Sequence, residues 1–204
     1  MDKDFTGLNT SAQSAVIRER MNIVASHLYT QYIDYKNALA DTEEMFMQLC
    51  RHVETTVDYF KQSFASRGIS SDDIYCKFDE KFQTAQISVM WRKVGFTTLT
   101  NDKPQFIRRP DKLPEFQNCC RILAVDGDCF SIMQTNPENF LNKLIDSEVA
   151  SLYVCADKNE PCEMRTRHIS NNRIYVARQE APREFMLKVI EMVYGGGLPH
   201  LARA

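Results

Sequence analysis

The stretch LADTEEMF, Leu39–Phe46, decides whether the N-terminal third of this 204-residue chain is one helix or two. Asp41 and Thr42 are residue types that cap helix starts, because their side-chain oxygens accept from the backbone N–H groups left over in a first turn. Glu43 and Glu44 then stand at the positive end of the helix that follows. The stretch therefore reads as a break and a restart. Upstream, no glycine or proline occurs from Ser11 to Leu39, and Ile17, Met21, Val24, Leu28, Tyr32, Tyr35 and Leu39 recur at spacings of three or four along one face. Downstream, Phe46, Leu49, Val53, Phe60 and Phe64 carry a second stripe to about Ser66, with Gly68 suited to the left-handed turn after a helix.

Two long helices joined by a short connection fold back as an antiparallel hairpin. Residues 1–68 are accordingly expected to form a helical hairpin and oligomerisation region, and residues 69–204 an α+β sheet domain. The leftover apolar surface of the hairpin covers either the second half of the chain or a second copy. Val24, Leu28, Tyr32, Val53 and Phe60 are the residues expected to meet a partner. Heptad-like spacing suits a coiled coil between chains, although a hairpin packed within one chain produces the same pattern.

Beyond Ile69 the period changes. The polar run SSDDIYCKFDEKFQ reads as a loop or short helix. In QISVMWRKVGF, Ile87, Val89 and Trp91 alternate with Ser88, Met90 and Arg92, as in one strand with a wet face. TNDKPQFIRRPDKLPEF holds three prolines and reads as a connecting loop. Short strands are expected over 118–125, 128–133, 149–156, 163–169 and 173–179, with helices over 137–146 and 182–194. The glycine run 195–197 ends the last helix. Clustered strands with flanking helices give an α+β fold, a mostly antiparallel sheet with covering helices.

Composition is that of a globular protein, 44% hydrophobic and 25% charged, with a net charge of −2. That balance lacks the positive excess of a dedicated nucleic-acid-binding domain. No apolar run nears the ~20 residues that cross a bilayer, and the N-terminus has no signal-peptide core. Seven scattered cysteines, two of them adjacent at Cys119 and Cys120, suit reduced thiols used as small apolar side chains. The chain is expected to be intracellular, cytoplasmic or nuclear, with no membrane partner.

Asp126-Gly-Asp-Cys-Phe130 resembles the nucleophile motif of the ovarian-tumour class of deubiquitinating cysteine proteases, in which Asp-Gly-x-Cys precedes Leu or Phe. The resemblance covers five residues. It implies Cys129 as nucleophile, with the loop from Asp126 shaping an oxyanion hole. A nucleophilic cysteine needs a helix start and a nearby base, and the histidines beyond it are His168 and His200. Asn136-Pro137-Glu138 makes the better helix start. Asp-Gly between alternating segments is the signal of a two-residue hairpin, pairing Leu123 with Phe130 and leaving Cys129 an ordinary strand residue. The hairpin is the reading preferred here.

Other constellations are weaker. Cys155, Cys162 and His168, with Cys119 or Cys120, lack the close ligand pairs of a structural zinc site, so no metal and no cofactor is expected. Arg165, Arg167, Arg173 and Arg178, with Tyr175 among them, allow weak RNA or anion binding, or are simply the solvated side of a sheet. His27 and His52 sit in helices and read as core-edge residues. YGGGLPH follows a helix instead of preceding one, which excludes a phosphate loop. No acid pair, Ser-His-Asp set or nucleotide fingerprint stands out. The expected function is a non-enzymatic interaction or assembly subunit, self-associating or binding a protein partner through its N-terminal helices.

Overall fold

In the computed structural model, which describes residues 5–79, 83–109, 115–134, 137–167 and 173–195 with 5–13 and 137–138 as backbone only, the expected hairpin is not formed. A single helix, α1 (Phe5–Ala65), runs through Leu39–Phe46 without interruption. At ~1.5 Å per residue it is about 90 Å long. The residues read as a cap have other partners. Thr42 donates back to the Ala38 carbonyl at 2.6 Å inside the helix, and the Asp41 carboxylate accepts from Arg178 at 2.6 Å. A capping residue starts a helix only where its side chain accepts from the N–H groups of the next turn, and here both side chains are engaged elsewhere. The stop at Gly68 is as expected. Gly68 has a φ of 72°, its N–H bonds Ala65 O at 2.9 Å, and the Ile69 N–H bonds Phe64 O at 3.1 Å. This is the double closure of a Schellman turn.

Eight antiparallel strands follow: β1 (Ile74–Asp79), β2 (Thr84–Val89), β3 (Arg92–Thr97), β4 (Gln105–Arg108), β5 (Phe116–Asp126), β6 (Glu148–Cys155), β7 (Cys162–Thr166) and β8 (Arg173–Val176). They form one sheet in the order β1-β2-β3-β5-β6-β7-β8, with β4 pairing the outer end of β5. The α+β expectation therefore stands. The polar run after Ile69 is not a loop or helix but contains β1. QISVMWRKVGF is not one strand but a hairpin, with Val89 opposite Arg92 and Met90 at a φ of 57° in the turn. The proline-rich segment contains β4. Local chemistry hid these three because Met-Trp is no turn signal, and β1 and β4 are specified by neighbours in the sheet.

Three helices remain: α2 (Cys129–Met133), α3 (Pro137–Asp146) and α4 (Ala181–Tyr194). The last two lie within a residue of expectation. The first overturns the expected strand 128–133 and its hairpin. Asp128 is extended, at φ −86° and ψ 95°, and its carboxylate accepts the Ser131 N–H, so it caps a helix that begins at Cys129.

A single cluster of buried side chains joins the second half of α1 (Phe46, Leu49, Val53, Val57), the inner sheet face (Ile87, Phe96, Ile122, Leu152) and α4 (Phe185, Val189). Phe96 and Phe185 meet edge to face, with centroids 6.1 Å apart, and Phe60 meets Tyr194 likewise at 6.2 Å. The core thus crosses residue 68. On the opposite sheet face, α2 and α3 close over Leu123 and Val125, with Cys129 and Leu144 buried between them.

Candidate functional site

One apolar stripe runs nearly the whole length of α1, and only half of it is covered. At about 3.6 residues per turn, Ile17, Met21, Val24 and Leu28 lie on the same face as Leu49, Val53 and Phe60. Val53 is fully buried and Phe60 packs against the core. Val24, Leu28 and Tyr32 are 48%, 58% and 56% exposed. The five residues expected to meet a partner therefore divide. Val53 is buried in the chain's own core, and Phe60, partly buried, packs on Tyr194 of α4, whereas Val24, Leu28 and Tyr32 stand on a projecting helix. Ile17 and Met21, exposed at the outer end of the stripe, extend it.

Where the helix leaves the sheet, a cleft of about 720 Å³ opens between α1 and the outer ends of β4 and β5. Its walls include the exposed rings of Phe106 and Phe116 and the carboxylates of Asp34 and Asp157. Glu115, also in the wall, is bonded to Arg108. Among the described residues no donor reaches the buried Oδ1 of Asn118 or Oε1 of Gln117. Asn118 donates to the Gln31 carbonyl at 3.3 Å, and Tyr35 donates to the Asn101 carbonyl at 2.7 Å, so the helix is pinned to the sheet here. Nothing in the sequence marked this cleft, because its walls come from segments some eighty residues apart.

Cys129 stands at a helix start, as the protease resemblance demands, but its sulfur is inaccessible. It is fully buried among Leu123, Val125 and Leu144, directly over Gly95. Burial, and secondarily the Asp128 carboxylate, push its thiol up to about 12. A reactive cysteine is shifted the other way. Burial alone would raise the Asp128 carboxyl as well, but the Lys93 ammonium at 2.5 Å and the Ser131 N–H outweigh it and hold that carboxyl below its usual range. Asp126 lies outside this pocket at the end of β5, its N–H bonded to the Ser147 carbonyl. His168 and His200 lie outside the described residues.

The late arginines do not collect into one surface. Arg165 and Arg173 converge on the buried Glu163, at 2.5 and 3.7 Å, and the Arg165 guanidinium stacks 4.7 Å above the Tyr153 ring. Arg167 donates to the Ile145 and Asp146 carbonyls at the end of α3. Arg178 lies on the other side of the sheet, bound to Asp41 and to the Cys155 and Asp157 carbonyls. Tyr175 is faced by Arg109 at 5.1 Å, which in turn pairs with Glu160 at 2.8 Å. Each of these cations is engaged by its own chain. Among the cysteines, Cys119 sits opposite Cys155 in the β5–β6 register, while Cys162 lies against Met45 with its sulfur 3.7 Å from the thioether.

No protein-family model matches the chain, and comparison with curated proteins and with solved structures finds no similar chain.

Proposed function

We propose that this protein is a non-enzymatic interaction or assembly subunit, with the projecting half of α1 as its docking surface. One observation carries the reading. The face of α1 that is dry from Ala38 to Val57 remains apolar but bare from Ile17 to Tyr32. Full burial of one large aliphatic side chain is worth about 1.5–3 kcal/mol, and Ile17, Met21, Val24 and Leu28, each about half exposed, offer part of that to a partner that covers them. Contiguous exposed apolar surface of this kind marks interaction sites. No helix among the described residues is long and apolar enough to cross a membrane.

The test is a Val24→Asp/Leu28→Asp double variant. The thermal midpoint is expected to stay within a few degrees of the parent while association is lost. A large fall in the midpoint would mean that the stripe is already covered within the chain, and the reading would fail.

The cysteine-hydrolase alternative rests on the start of α2 at Cys129. It requires Cys129-dependent labelling by an electrophilic ubiquitin probe, and the buried thiol argues against it.

A further inference from the structure

We infer that the cleft between α1 and the outer ends of β4 and β5 binds an arginine side chain on a peptide segment of a partner. None of the residues lining it belongs to the apolar stripe, so it is a second site beside the docking surface. The first argument is charge. Asp34, Glu115 and Asp157 line the cleft, and no lysine or arginine does. Arg108 takes Glu115, and the Asn159 N–H groups take one oxygen of Asp157. Lys158 and Arg178 are committed to Asp41, which leaves Asp34 and Asp157 without a cation among the described residues. Nor do three metal-ligating side chains converge among the described residues, so the complement is an organic cation.

The second argument is an acceptor short of a donor. Asn118, in the wall, is only 9% exposed, and its Oδ1 has no donor among the described residues. Phe106 lies directly opposite Asn118 in the β4–β5 register, and Phe116, two residues back along β5, shares its face. The amide thus stands between two rings that are 53% and 59% exposed. A guanidinium fits this set better than an ammonium. Its plane covers an aromatic face while its N–H groups donate from the edge to a carboxylate and an amide oxygen together. To meet it, the Asn118 amide turns about its soft terminal torsion and gives up the long 3.3 Å bond to the Gln31 carbonyl. The helix wall runs from His27 to Asn37, ~15 Å, which matches about four extended residues of a peptide and exceeds a single side chain.

Fluorescence anisotropy of a dye-labelled peptide, Ala-Ala-Arg-Ala-Ala, titrated with the full chain at low ionic strength, tests this. Saturable binding is expected. Lysine in place of the arginine should weaken it about five-fold, and uncharged citrulline about ten-fold. Asp34→Asn and Phe116→Ala should each weaken it about three-fold with the thermal midpoint kept, since both side chains lie at the surface of the cleft. A lysine peptide that binds as tightly as the arginine one would overturn the guanidinium assignment. Free arginine that competes as well as the unlabelled peptide would overturn the peptide as its source. Absence of saturable binding, or binding untouched by both cleft variants, would overturn the site. Loss of binding in Val24→Asp/Leu28→Asp alone would place the peptide on the stripe, which overturns the cleft and leaves the docking surface standing.

Discussion

The sulfur of Cys129 occupies the space that a side chain on residue 95 would need: a β-carbon at Gly95 would lie 1.9 Å from it. The same β-carbon would lie 2.8 Å from Cys129 Cβ and 3.2 Å from a Val125 methyl. Gly95 is therefore required by close approach of α2 to β3. Gly95→Ala is expected to cost about 3 kcal/mol through overpacking. Thermal melts of Gly95→Ala beside Gly95→Ala/Cys129→Gly check the cause, since removing the whole side chain should recover part of the midpoint. Cys129→Ala should recover less, because its β-carbon still collides. Equal midpoints for all three would refute the contact.

Thiol accessibility follows from the same packing. Cys119, Cys120, Cys129, Cys155 and Cys162 are buried, whereas Cys50 and Cys76 are half-buried. Burial, and then Glu54, raise the Cys76 thiol, so its modification should quicken with rising pH. Titration with a chromogenic disulfide under native conditions should give two reacting thiols, and all seven after unfolding. Early loss of the Cys129 thiol would contradict the buried geometry and revive the hydrolase reading.

The two halves of the α1 stripe should respond differently to truncation. Val53→Ala deletes fully buried methyl groups and is expected to cost about 2 kcal/mol. Val24→Ala removes exposed ones and should change monomer stability by less than about 0.5 kcal/mol. Chemical denaturation of dilute protein measures both. A Val24→Ala loss as large as that of Val53→Ala would show the outer stripe to be core.

Asp128 makes stability depend on acid. Its carboxyl titrates lower in the folded chain than its unfolded value of about 3.9. The stabilisation is thus complete above that value and lost as pH falls through the folded one. Lys93 is raised, chiefly by its hydrogen bond to Asp128, so its share persists up to its unfolded value and disappears as pH climbs through the folded one. Asp128→Asn retains a capping side chain but no charge, and should flatten the decline in urea midpoint between about pH 5 and about pH 3. Asp128→Ala should cost about a further 1 kcal/mol at neutral pH through the lost cap. An unchanged pH profile in Asp128→Asn would remove the ion pair from the account.

Much of the fold was legible wherever short-range chemistry settles the backbone. Gly68 closes α1, the short apolar run within Asn118–Val125 places β5, the Pro137 start places α3, and the glycines after Tyr194 bound α4. Asp126-Gly127 misled because Asp-Gly followed by alternating residues is a hairpin signal, while Asp128 with Ser131 three residues on is equally a cap. The second pattern wins because Lys93 fixes the Asp128 carboxylate and Gly95 makes room for α2. The candidate surface was half legible. The stripe could be read, but its division into covered and bare halves could not, since both halves have the same period.

Short-range chemistry alone sufficed for an α+β chain, an apolar stripe from Ile17 to Phe64 and the ends of most helices, since capping, glycine geometry and periodicity act within a few residues of one another. Only the tertiary structure decided that Leu39–Phe46 stays helical, because the partner of Asp41 is Arg178, 137 positions away. It alone decided which part of the stripe is buried, because burial depends on where the sheet ends beneath the helix.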